Sequence, residues 1–232
     1  MEEKTVQTTG YQDRHLGERC VILGNGPSLG KIDFSLLEGE KTFGLNKIFL
    51  LMKEIDWSPT YYCAVNPLVI EQAREDIVNS TLPKFIGHEG VRCIPERDDV
   101  TFLKSDRREP GFAVSLDEPM WQGYTVTYCA LQLAYIMGFK QAILVGVDHY
   151  YKFQGDPNKE VRAEGADVNH FHPDYFSGGQ NWNLPDLEMS EVAYGMARKA
   201  YEKDGRTVLN ATPGTHLDVF EKVDLEKVLS SS

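Results

Sequence analysis

Four apolar residues, Cys20-Val21-Ile22-Leu23, stop dead at Gly24-Asn25-Gly26-Pro27-Ser28-Leu29, and no other stretch constrains the fold of this chain as much. A short apolar run ending on Gly-x-Gly is how a parallel α/β sheet opens its first ligand-facing turn. Gly24 and Gly26 let the backbone approach a ligand with no side chain between, and Ser28 adds a hydroxyl beside free N–H groups. The stretch is not the dinucleotide fingerprint, because Leu29 stands where the third glycine belongs and Pro27 sits inside the turn. Nor is it a phosphate loop of the Walker kind, since no Gly-Lys-Ser/Thr follows. The bland alternative is a tight strand-to-loop turn with no ligand.

With 232 residues the chain can bury a full core as one large α/β domain. A net charge of -11 argues against a nucleic-acid backbone as partner, which requires clustered Lys and Arg, but leaves room for a small anionic ligand held by backbone amides. Cys20, Cys63, Cys93 and Cys129 show no C-x-x-C spacing and fall in stretches that read as buried strand or helix, which suggests core residues in a reducing compartment. The polar segment Met1 to Gly17 does not read as a signal peptide, and no apolar run reaches the roughly 18 residues of a membrane span, so a cytoplasmic location is expected.

In chain order, strands are expected at Thr42–Leu45, Thr60–Val65, Lys84–Gly87, Val91–Ile94, Ala142–Val147 and Thr207–Leu209. Helices are expected at Leu68–Val78, opened by Pro67, at Thr127–Met137, apolar on nearly every side, and at Leu187–Lys203, amphipathic. Asp98–Met120 reads as an irregular excursion. The long, polar, glycine-rich stretch from Tyr151 to Asp186 has the length of a functional lid. These readings give a flexible segment over 1–18 and, over 19–229, a single Rossmann-like domain. It has a mostly parallel central sheet, helices on both faces and a lid at 151–186 over the carboxyl ends of the strands.

Those strand ends carry Asn25, Asn46, Asn66, Asp148 and Asn210. Ligands of open α/β sheets bind there, and an amide, which both donates and accepts, suits a nucleobase edge or ribose hydroxyls better than a magnesium-phosphate site. Any one of these asparagines could instead be a turn or helix cap. A second group lies at Asp148-His149-Tyr150-Tyr151 and Asn169-His170-Phe171-His172-Pro173-Asp174-Tyr175. A histidine can take a proton from a hydroxyl near neutral pH, and tyrosine hydroxyls can donate to a departing phosphate. A competing reading is a divalent metal held by His170 and His172 with Asp174, Asp148 or His149.

Together, Gly24-Asn-Gly-Pro-Ser-Leu, Ile32-Asp-Phe-Ser, Asn46, Asn66-Pro67, Tyr124-Thr-Val-Thr127, Gly138-Phe-Lys, Gly146-Val-Asp-His-Tyr150 and Asn169-His-Phe171 resemble the bacterial sialyltransferases of glycosyltransferase family 42, from Arg19 to about Phe176. The opening hexapeptide is also similar to a wider sialyltransferase-like group that includes archaeal hydroxymethylpterin diphosphokinases. The resemblance implies a metal-independent, inverting transferase, with no cofactor, that moves an acidic sugar from a CMP-sugar to a glycan acceptor in surface polysaccharide synthesis. It implies nucleotide binding by Asn25, Gly26, Asn46 and Asn66, with Thr125 and Thr127 facing the donor; the glycine turn and the strand-end pattern add Gly24, Ser28 and Asp148 to the expected nucleotide site. Tyr150 would donate to the phosphate and His170 would deprotonate the acceptor. The family's second phosphate-binding tyrosine is replaced by Asp156, which leaves Tyr151 to substitute. The arginine upstream of Thr125 is replaced by Gly123, and Val126-Thr127 stands for Ser-Gly. Peripheral membrane contact and homo-oligomerisation are compatible with the resemblance. The alternatives are a nucleotide-binding protein without transfer activity and a magnesium-dependent pterin or nucleotide diphosphokinase.

Overall fold

The computed structural model describes residues 10–106, 110–152 and 155–230; residues 1–9 of the N-terminal segment and residues 153–154 of the expected lid lie outside the described residues. Strand β1 (Arg19–Leu23) runs between β2 (Lys41–Leu45) and the later strand Gln141–Val145. On the β2 side follow β3 (Tyr61–Ala64), β4 (Lys84–Gly87) and β5 (Val100–Leu103). Two short strands, β6 (Ser105–Asp106) and β7 (Met120–Trp121), pair with each other beside the main sheet. The strand Gln141–Val145 is β8, and beyond the hairpin β9 (Glu160–Arg162) and β10 (Asn181–Asn183), β11 (Thr207–Asn210) and β12 (Glu221–Lys222) extend the sheet on its far side. The order β12-β11-β8-β1-β2-β3-β4-β5 gives an eight-stranded sheet in which every described pairing is parallel.

Strands covered on both faces must be apolar at successive positions, and β1 shows why Cys20–Leu23 is unbroken. Cys20 and Ile22 belong to the core on one face, Val21 and Leu23 to the core on the other. The first face is filled by α4 (Val126–Ile136), buried from Thr127 to Ile136, against which α5 (Leu187–Lys203) packs. The second face takes Leu29, Ile48, Phe49, Ile70 and Ile77 from the crossovers, which include the short helix α1 (Phe49–Met52). A last helix, α6 (Leu225–Ser230), adds Leu225 and Val228 to that side.

The structure corrects several expectations. The expected helix Leu68–Val78 is two short helices, α2 (Pro67–Gln72) and α3 (Arg74–Asn79), meeting at Ala73. The expected strand Val91–Ile94 is replaced by a 3-10 turn over His88–Arg92. There Gly90 lies against Ile86 so closely that a Cβ would collide, and the chain folds back instead of extending. Cys93 is accordingly half-buried after a turn and not in a strand; all four cysteines are free. The stretch Asp98–Met120 is not wholly irregular, because β5 closes the sheet edge. Residues 10–18 are not loose: the N–H groups of Asp13, His15 and Gly17 donate to the carbonyls of Ile136, Met137 and Gly138, satisfying the C-terminal carbonyls of α4 and its cap. His15 is buried there, stacked on Phe139 and 2.6 Å from the Tyr61 hydroxyl. No helix among the described residues is long and apolar enough to cross a membrane.

Candidate functional site

The strand order reverses at β1 and β8, so the loops leaving these two strands diverge and leave a crevice at their carboxyl ends. The loops touch backbone to backbone. Gly24 N–H donates to Val145 and Gly26 N–H to Gly146, at 2.7 and 2.9 Å. A Cβ on Gly24 would meet the Gly146 carbonyl, and one on Gly26 would run into the Asp148 carboxylate. Asp148 fills the glycine turn from the other strand end. It accepts from the Ser28 hydroxyl at 2.7 Å and the Ser28 N–H at 3.2 Å, at the start of the 3-10 turn Pro27–Lys31. The N–H expected to be free for an anion is therefore taken by a carboxylate of the chain itself, and Ser28 is buried beneath Asp148 instead of facing a ligand.

Two chambers open from this crevice. The narrow one, about 120 Å³, is walled by Gly24, Asn25, Gly26, Asn46, Thr125, Thr127, Asp148, Tyr150, Tyr151 and His170. Of the residues expected to bind the nucleotide or to act in transfer, all but Ser28 and Asn66 thus meet around one space. Asn66 belongs to the wide chamber, about 640 Å³. Asn46, Thr125, Tyr151, His170 and Tyr175 are common to both walls.

The asparagines divide into those that face the cavity and those that brace the fold. The side-chain oxygens of Asn25 and Asn46 are buried with no hydrogen-bond partner among the described residues, and the Tyr175 hydroxyl lies against the Asn46 side chain. These two buried carbonyl oxygens on one cavity wall are acceptors that a ligand can use. Asn46 holds a left-handed backbone (φ 50°), a conformation that asparagine tolerates. Asn66 is the N-cap of α2: its Oδ1 accepts from Leu68 and Val69 N–H, leaving its amide nitrogen 3.4 Å from Asn183. Asn210 borders neither chamber. It accepts from Thr212 N–H and donates to the Thr215 hydroxyl, bracing the loop that holds Val147.

His170 is the most constrained side chain of the site. Its Nδ1–H donates to Asp167 at 2.8 Å, and its ring lies flat on Tyr175, centroids 3.9 Å apart and planes 4° from parallel. Edges of Tyr151, Phe176 and Trp182 close around it. Nε2 has no partner among the described residues and is the nitrogen left for chemistry. Burial pushes the Asp167 carboxyl up, but the His170 ring and the N–H groups of Asn169 and Phe176 outweigh it and hold the group below the usual range. Burial raises the Tyr151 and Tyr175 hydroxyls well above their ordinary value, so both stay protonated donors.

The lid is tied down at two points. Phe171 N–H donates to the Asn25 carbonyl at 2.9 Å, joining the lid to the glycine turn. Lys47, buried beside Asn46, donates to the Tyr175 carbonyl and to Gln180 Oε1 and sits 4.4 Å from the Phe176 ring centre. Burial drives its pKa down to about 8, against a smaller opposing pull from Asp167.

Tyr150 is half-exposed at the rim, stacked on His216, while His149 turns to Glu191. His172 points away from both chambers: Nε2 is 3.0 Å from Glu54, and Nδ1 accepts from Asp174 N–H. The ligand set expected of His170, His172 and Asp174 is thus not assembled. Among the described residues no cluster of three or more His, Cys, Asp or Glu is arranged to hold a metal.

Asp167, Tyr194 and Lys47 escaped sequence reasoning, and Tyr175, named in the second group, had no role of its own there. Asp167 carried one local signal, its i,i+3 spacing to His170. Tyr194, on the inner face of α5, reaches the Thr125 hydroxyl at 3.4 Å, a contact across 69 residues. A scan against protein-family models finds no match, and a search of the curated proteins finds none either.

Proposed function

We propose that the chain is a glycosyltransferase that moves a sugar from a nucleoside-monophosphate-activated donor to a hydroxyl of a glycan, with His170 as general base. The observation that carries this reading is His170 itself. It stands on the wall common to two chambers, with Nδ1 held by Asp167 and Nε2 without a partner among the described residues, beside the Asn25 and Asn46 side-chain oxygens, which likewise have none there. In the step proposed, Nε2 takes the proton of the acceptor hydroxyl as its oxygen bonds to the anomeric carbon. The carbon–oxygen bond to the phosphate breaks on the opposite face, and the nucleotide leaves with the electron pair. Tyr150 and Tyr151 donate hydrogen bonds to that phosphate, a role that supports departure without a charged partner.

The linings support one phosphate in preference to two or three. Among the described residues no Lys or Arg borders either chamber, and Asp148 already occupies the glycine turn. A phosphodiester of single charge can be held by hydroxyl and amide donors; a diphosphate would need a cation from outside. Asp148, with lone pairs to spare, suits ribose hydroxyls. The cytidine and the acidic character of the sugar come from the resemblance alone.

Thermal shift with CMP, CDP, ATP and GTP, each with magnesium or with EDTA, tests the reading. CMP is expected to raise Tm equally in both conditions, since a ligand of the native state must stabilise it, and a CMP-activated sugar should be hydrolysed slowly without acceptor. Stabilisation by ATP only with magnesium would replace this reading with the diphosphokinase. CMP stabilisation with no turnover of any CMP-sugar would leave a binding protein.

A further inference from the structure

We infer that the wide chamber is a subsite for an uncharged pyranose glycan, the acceptor, stacked on the exposed ring of Tyr124, which the buried Trp121 buttresses, and hydrogen-bonded at its rim by Asn158 and Glu160. The assignment to acceptor rests on the transferase reading; the binding of sugar does not.

Tyr124 is the first observation. Its backbone is left-handed (φ 61°), a strained state for an aromatic residue, and its ring is 46% exposed although it borders both chambers. The preceding Gly123 is also left-handed and packed so tightly on Tyr128 and Ala193 that no side chain fits there. This pair of residues, between β7 and α4, turns the Tyr124 ring out of the core and sets it edge-to-face on the buried Trp121, centroids 6.0 Å apart. From the lid, Trp182 borders the same chamber but is buried, its ring stacked on Phe176 and Tyr151, so it closes the apolar wall and Tyr124 supplies the exposed face.

The polar groups are the second observation. Asn158 is exposed and left-handed (φ 64°), and its Oδ1 has no partner among the described residues. Glu160 gives one oxygen to Asn181 at 2.7 Å and has the other to offer. Among the described residues Glu160 is the only carboxylate of this lining, which holds no Lys or Arg, so no fixed positive charge in it favours a phosphate or a uronic acid. An exposed aromatic face beside amides and a carboxylate matches a pyranose, which offers C–H faces and a belt of hydroxyls. A volume of about 640 Å³ accommodates more than one ring.

The test uses the full chain without nucleotide. Saturation-transfer NMR and calorimetry are run with methyl glucoside, methyl galactoside, methyl mannoside, cellobiose, lactose and glucuronic acid. At least one neutral sugar is expected to bind with Kd on the order of 1 mM, and glucuronic acid not at all. Tyr124→Gly, which removes the ring while glycine accepts the backbone angle, should weaken that binding about 3- to 10-fold without lowering Tm. Asn158→Gly and Glu160→Gln, whose side chains border only the wide chamber, should weaken sugar binding and leave CMP stabilisation as it is. No binding by any neutral sugar, equal binding of glucuronic acid, or an affinity indifferent to all three substitutions overturns the inference. CMP stabilisation without sugar binding would do so and leave the nucleotide site standing; sugar binding without CMP stabilisation would keep the chamber and remove the donor.

Discussion

Asp167 Oδ2 stands 2.8 Å from His170 Nδ1, three residues along one loop, and the same carboxylate accepts the N–H groups of Asn169, His170 and Phe176. One group thus shapes the lid and fixes the tautomer of the imidazole above the cavity.

His170→Ala should lower transfer or donor hydrolysis by about 10²- to 10⁴-fold, the range of a positioned acid-base group, with CMP affinity unchanged. Asp167→Asn keeps an acceptor for the loop N–H groups but gives up the charge behind the ring. As a positioning residue it should lower kcat on the order of 10- to 100-fold with the donor KM little altered. His172→Ala, at a ring bonded to Glu54 outside both chambers, should leave turnover close to wild type. Equal losses at His170 and His172 would sink the assignment of the base.

Asn46 and Asn66 are expected to separate by stability. Asn46→Gly suits the left-handed backbone and removes an amide whose oxygen has no partner among the described residues, so CMP affinity should fall about 5- to 30-fold with Tm little moved. Asn66→Ala also removes the α2 cap, and unfolding free energy should drop by about 0.5–2 kcal/mol. Calorimetry and denaturant melts of the two variants read both quantities; unchanged CMP affinity in Asn46→Gly would count against the nucleotide site.

The parallel sheet was legible because strands buried on both faces leave no choice of pattern, and the turn after Leu23 was legible because only glycine fits where two backbones touch. The same reading misjudged Ser28, since nothing local tells that the carboxylate filling the turn comes from Asp148, 120 residues later. Lys47, beside Asn46, looks in sequence like an ordinary surface lysine, and only the lid returning from Tyr175 buries it. β5 went unseen as a four-residue edge strand whose alternate residues are half-covered, set between Asp99 and Lys104. Asn210 obeyed the strand-end pattern and still serves only its own loop.

Gly26→Ala tests the packing of the switch point without reference to any ligand. The added methyl must displace the Asp148 carboxylate, and with it the bonds to Ser28. Overpacking of this kind costs about 1–3 kcal/mol. A denaturant midpoint equal to wild type would show that Asp148 can leave the turn freely, and that the turn can open to an anion.

Lys47 makes the stability of the lid depend on pH in an uncommon direction. Its ordinary pKa of 10.5 falls to about 8 in the folded chain, chiefly by burial. Between these values the unfolded chain holds a proton that the folded chain has released, so the unfolded state binds more protons and stability rises with pH. Below about pH 8 both states are protonated, and the penalty for burying the charge is present in full. Lys47→Met fills similar space without a charge and abolishes this dependence. The difference in unfolding free energy between wild type and Lys47→Met should therefore shift in favour of wild type from pH 8 to pH 10.5 and stay flat below. The variant should also lose the ties to Tyr175 and Gln180, so amide exchange near these residues should quicken at neutral pH while the sheet remains protected. A stability difference that does not change between pH 8 and pH 10.5 would show that Lys47 keeps its proton in the fold, and that its hydrogen bonds, not its burial, govern the charge.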